Sequence, residues 1–90
     1  MARLGMDVDL VEQLGRVLLA QASQLEAVLA AVDTLAIEAM SAWDGPDAQQ
    51  FTGRWMSEHR VDLGKASQAL QSFGQSAIAN AADQRSVSGH

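Results

Sequence analysis

The sequence predicts an all-α fold: an antiparallel two-helix hairpin that pairs into a four-helix bundle dimer. Three observations lead there. Two long segments carry apolar residues at alternating intervals of three and four. A Trp43-Asp44-Gly45 triplet sits between them, almost at the midpoint of the 90 residues. The hydrophobic content is 48% but the aromatic content only 4%, so Ala supplies much of the apolar count, which favours helix and gives thin core layers.

The first arm is predicted from about residue 9 to 42. Its stripe reads Val11, Leu14, Leu18, Gln21, Leu25, Val28, Val32, Leu35, Ala39 and Ala42. That is a heptad-like pattern in which Gln21 is the one polar member. Leu10, Val17, Leu29, Ala31, Ala36 and Met40 widen the stripe beyond a coiled-coil seam, which suits packing against more than one helix. Two starts fit equally well: Asp9 as cap with Glu12 completing a capping box, or Asp7 as cap with Met6 and Val11 as a hydrophobic staple. Residues 43–45 form the turn.

The second arm is predicted from about residue 46 to 83, with a frayed tail over 84–90. Pro46 at the first helical position costs no hydrogen bond. Asp47 in the first turn suits the helix dipole. Phe51 and Trp55 lead into a stripe of Met56, His59, Leu63, Ala66, Leu70, Phe73 and Ala77. His59 reads as a half-buried polar seam residue able to fix register, as Gln21 does. Gly53, Gly64 and Gly74 interrupt the arm at about 1 kcal/mol each relative to Ala. They are either tolerated in a packed helix or mark a close backbone approach along the Gly64, Ser67 and Gly74 side.

Two helices cover only part of each other's apolar faces. Each stripe is about 50 Å long at 1.5 Å per residue, more than a soluble monomer ordinarily exposes. Pairing two hairpins covers it. The stripe candidates for that interface are Leu14, Leu18, Leu25, Val28, Val32, Leu35, Met56, Leu63, Leu70 and Phe73.

The same residues argue against chemistry. The chain has no Cys, which removes disulfides, thiolate metal sites and Cys nucleophiles. Glu58, His59 and Asp62 share a helix face, but one His and two carboxylates make no recognised metal set. Arg54 and Arg60 lie close enough in sequence to pair with them. There is no Ser/His/Asp constellation and no phosphate-binding glycine loop. No metal, cofactor or catalytic residue is expected, and the chain reads as non-enzymatic. A net charge of −5 and a pI near 4.6 argue against nucleic acid. The segment around Val17–Ala22 ends in an A-x-A-like pattern, but Asp7, Asp9 and Glu12 precede it and the apolar run is too short for a signal peptide. Leu25 to Met40 is too short and too charged to span a bilayer, so no stable membrane insertion is expected.

The turn sequence carries a resemblance. Ala42-Trp43-Asp44-Gly45-Pro46-Asp47-Ala48-Gln49-Gln50-Phe51, followed by Trp55, resembles the signature of the WXG family. These are small early-secreted-antigen-like helical hairpins of type VII secretion systems. Trp43 and Gly45 match the defining positions of the export or partner-recognition turn. Phe51 and Trp55 match the aromatics that commonly follow and support the tip. The resemblance implies a homodimer or a heterodimer with a paralogous WXG-type protein, exported as a folded pair by a membrane-bound ATPase without a cleaved signal, and a virulence-associated setting. It implies a turn lying beside a C-terminal Tyr-xxx-Asp/Glu signal carried by the other subunit or by a fused chain. This chain has no Tyr, which departs from that pattern. It is then the signal-less member of a pair, a helper for a larger cargo protein, or a protein that stays in the cytoplasm. The alternative from a different class is an intracellular helical-hairpin adaptor that oligomerises.

Overall fold

The computed structural model describes residues 5–88 and is all-helical: every one of these residues outside 5–7 and 43–45 lies in a helix. Helix α1 spans Val8–Ala42. Helix α2 spans Pro46–Arg54 and α3 spans Arg60–Ser88, joined by a π-helical turn over Trp55–His59. The two long arms have the character of a helical hairpin. The predicted single second helix is therefore one continuous arm containing a wide turn.

Of the two starts considered for α1, the backbone takes Asp7. Its Oδ1 accepts the N–H of Leu10 at 3.1 Å, satisfying one of the donors a helix leaves orphaned. Asp9 falls in the first turn instead. α1 ends where the chain reaches Trp43, whose N–H bonds the Ala39 carbonyl at 2.8 Å. Gly45 then takes φ +133° and ψ 171°, a region open to Gly and strained for other residues. Pro46 begins α2 directly after it.

The chain divides into two compact units, one of Met1–Ala22 with Ala69–His90 and one of Ser23–Gln68. In the first, the arms meet at glycines. A Cβ built on Gly15 would fall 2.8 Å from the Gly74 carbonyl oxygen, and one on Gly74 would fall 2.7 Å from the Gly15 carbonyl oxygen. Ala22 and Ala81 are fully buried in the same unit. Arg85 pairs with Asp9 at 2.7 Å and with Glu12 at 2.6 Å, while Arg16 pairs with Glu12 at 2.6 Å. These exposed pairs contribute little stability each. They do engage α3 beyond residue 83: the helix continues through 84–88 rather than fraying, and residues 89 and 90 of the expected tail lie outside the described residues.

In the second unit, Leu29, Ala48 and Ser67 are buried. Asp33 of α1 reaches across to the other arm. It accepts the Trp55 indole N–H at 2.8 Å and the Arg60 Nε–H at 3.0 Å.

The covered positions are consequently mostly small residues. On α1 they are Gly15 and Ala22, with Leu29 as the one large side chain; on α3 they are Ser67, Gly74 and Ala81, and on each helix they recur every seven residues. Small residues let helix backbones come close. The close approach anticipated at the glycines is real at Gly74, and its partner is α1 of the same chain. It does not extend to Gly64, where an added Cβ would meet only Arg60 Nη1 at 3.6 Å, nor to Gly53, where it would meet nothing.

Candidate functional site: the turn end and an uncovered apolar face

Phe51 projects from α2 toward the residue that ends α1. Its ring lies 5.9 Å from that of Trp43, centroid to centroid, with the planes inclined by 29°. Both rings remain open to solvent, Trp43 at 45% and Phe51 at 61% exposure. Trp55 is half-buried and is tied to Asp33 by its indole N–H. Between these aromatics and α1 lies an open cleft of about 240 Å³. Its α1 wall is Val32, Leu35, Ala36 and Ala39; Trp43, Phe51, Thr52 and Trp55 close it. The Thr52 hydroxyl and the indole N–H groups are the polar side-chain groups there, and Trp55 has already spent its own on Asp33. The cleft is smaller than the roughly 300–1,000 Å³ of a typical small-molecule site. It suits an inserted apolar side chain and offers no acid–base pair.

Asp33 is the one strongly engaged carboxylate of this end. The indole N–H of Trp55 holds its carboxyl below the usual Asp range, with the Arg60 guanidinium adding to the effect and partial burial opposing it. No site role was foreseen for Asp33 or Arg60. The sequence signal was a carboxylate beside Val32, inside the apolar stripe. Arg60 pairs with Asp33 across the arms rather than with Glu58 or Asp62 along its own helix. His59 is exposed, not half-buried, because the π-helical turn moves it off the covered face; Gln21 is exposed as well.

The stripe candidates divide between two positions. Leu18, Leu25, Val32 and Leu70 are half-buried against the other arm. Leu14, Val28, Leu35, Met56, Leu63 and Phe73 are exposed. On α1 an uncovered face runs through Leu10, Leu14, Val17, Gln21, Gln24, Val28, Ala31 and Leu35, all exposed and spaced alternately by four and three. That spacing is a coiled-coil seam. Its large apolar members are about half open to solvent, from 48% at Leu10 and Val17 to 59% at Leu35.

Among the described residues no group of three His, Asp or Glu side chains is placed to hold a metal ion. No described helix is long and apolar enough to cross a membrane. No protein-family model, no curated protein and no solved structure matches this chain.

Proposed function

We propose that this chain is a non-enzymatic subunit of a dimeric helical bundle, serving type VII secretion as a WXG-like substrate or as the partner or helper of a secreted protein. The observation that carries the proposal is the uncovered α1 face. A row of Leu and Val at coiled-coil spacing, left half open to solvent, is the pattern of a helix surface awaiting another helix. The exposed Trp43 and Phe51 pair, beside an apolar cleft, supports a recognition role for the turn end. The partner is a second copy of this chain or a paralogous hairpin. A secretion ATPase or a larger cargo protein then engages the assembled pair for export.

A second copy fits the α1 face in antiparallel orientation. That arrangement sets Leu10 against Leu35, Leu14 against Ala31, Val17 against Val28 and Gln21 against Gln24. Apolar layers then meet apolar layers, and the two amides share one polar layer that fixes register.

The absence of native Cys makes the test direct. Val17→Cys and Val28→Cys proteins are mixed and oxidised, and the mixture is compared with each protein alone. The proposal expects a dimer by sedimentation and a 17–28 cross-link that neither protein gives by itself. A monomer at low micromolar concentration, alone and mixed with a neighbouring paralogue, would exclude the bundle. Dimers without the cross-link would point to a different register or partner. Co-expression with neighbouring genes, followed by assay of the culture medium, tests secretion. A stable oligomer retained in the cell would favour an intracellular adaptor.

A further inference from the structure

Trp55 and Arg60 are five residues apart, yet both donate to Asp33. In a regular α-helix that separation places side chains about 140° apart around the axis, at 100° per residue. The π-helical turn removes the discrepancy. The Arg60 backbone N–H bonds the Trp55 carbonyl, so one extra residue is absorbed and Arg60 comes round to the side of Trp55. The Ser57 hydroxyl donates to the Gly53 carbonyl at 2.8 Å within this stretch.

The extra residue decides which face of α3 meets α1. Without it, the face continuing from Trp55 would be His59, Leu63, Ala66 and Leu70. With it, the covered face over residues 60–67 is one residue further on, and Leu70, half-buried, lies at the border of the two. Ser67 is 2% exposed and Gly64 half-buried, while Leu63 is 38% exposed and Ala66 also exposed. α3 thus carries two adjacent faces able to pack, one of small residues and one apolar. π-helical turns of this kind occur mostly as single bulges inside α-helices, frequently at functional sites.

We infer that Asp33, by holding Trp55 and Arg60 across the π-helical turn, is a register latch that keeps the small face of α3 against α1 and presents Leu63 and Ala66 outward. Releasing the latch lets the extra residue be taken back into regular helix. α3 then turns by about one residue, roughly 100°, and exchanges the two faces. The latch belongs to the single chain, so it holds whether or not the chain is secreted.

Adjacent cysteine reporters test this in the full-length protein: Ser67→Cys on the covered face and Ala66→Cys on the outward one. Alkylation rates are measured for each, alone and combined with Asp33→Ala. With Asp33 present, Ala66→Cys should react quickly and Ser67→Cys slowly. With Asp33→Ala, Ser67→Cys should react at least about tenfold faster, a local-opening readout, while Ala66→Cys slows. Deleting Ser57 removes the residue that must be absorbed. In that background Asp33→Ala should leave Ser67→Cys protected. Unchanged rates with Asp33→Ala would overturn the latch. Acceleration of both reporters together would mean loosening of the arm instead of a turn, and would overturn it equally. So would exposure of Ser67→Cys by the Ser57 deletion alone. Circular dichroism on every variant separates these outcomes from unfolding, and amide exchange over residues 60–67 reports the same turn where a cysteine variant fails to fold.

Discussion

Gly15 and Gly74 face each other so closely that neither has room for a methyl group: a Cβ on Gly74 would stand 2.7 Å from the Gly15 carbonyl oxygen and 3.0 Å from Leu19 Cγ. One of the obstacles is backbone, which cannot swing away as a flexible side chain can. Gly74→Ala should therefore destabilise the chain by about 1–3 kcal/mol, the range for overpacking, in spite of the better helix propensity of Ala. Gly53→Ala offers the contrast, because an added Cβ there meets nothing. It should stabilise by up to about 1 kcal/mol. Urea denaturation of the two variants, followed by circular dichroism, gives both signs in one experiment.

Acid should weaken the unit that contains Asp33. Its carboxyl titrates below the ordinary Asp value, chiefly because the Trp55 indole N–H stabilises the charged form. A depressed folded-state value means that the contribution is present above the unfolded-state pKa, near 3.8. It is lost as pH falls from there through the lower folded value. Asp33→Asn should flatten this part of the acid limb in a denaturation series from pH 6 to pH 2. Trp55→Phe removes the leading cause and should raise the Asp33 carboxyl toward its ordinary value, read by NMR titration.

Glu12 should add a second acid-sensitive contribution at the other unit. Hydrogen bonds from Arg16 and then Arg85 lower its pKa from 4.5. Its stabilisation is accordingly complete above that value and disappears as pH falls through the lowered one. Since all three side chains reach solvent, salt should screen the pairs. The pH dependence attributable to Arg85→Gln should be smaller at 1 M salt than at low ionic strength.

Leu14→Lys and Val28→Lys place charge on the uncovered α1 face without touching the small-residue seam. On the dimer proposal they should leave helix content unchanged and move the sedimentation coefficient from dimer to monomer. Loss of helix content together with loss of the dimer would show that the face also supports the single chain.

Trp43→Ala should remove the stacking on Phe51 while sparing the helices, because Trp43 lies after α1 and is half open to solvent. Partner recognition or export should fall more than ellipticity. Global unfolding would assign Trp43 a structural role instead.

The helical arms could be read from the chain because caps and breakers are local. Asp7, Pro46 and Gly45 act within one turn of themselves, and their positions bound α1 and α2. The covered face was harder to read. Large apolar residues at regular spacing drew attention to Leu63 and Phe73, whereas the neighbouring side of Gly64, Ser67 and Gly74, marked in the sequence only by its glycines as one of two alternatives, is the covered one. Periodicity counts hydrophobicity and so underrates a seam built on close backbone approach. The π-helical turn hid for a related reason. Residues 55–59 carry no breaker, and the extra residue is held by Asp33, 22 positions before Trp55. Such a long-range hydrogen bond leaves no periodic trace. The aromatic triplet of Trp43, Phe51 and Trp55 was legible as a group, but the separate tasks of its members, stacking at the first two and an ion-linked hydrogen bond at the third, required coordinates.

The small-residue seam also shapes how the chain should respond to heat. The positive heat-capacity change of unfolding comes from newly wetted apolar surface, and in the single chain Leu10, Leu14, Val28, Leu35 and Phe73 are already substantially wet. Unfolding a lone hairpin therefore exposes little additional hydrocarbon per residue, and its stability curve should be shallow. Those side chains also keep much of their rotamer freedom until something covers them. The steep calorimetric signature, and the ordering of the largest side chains with it, arises when that face is covered.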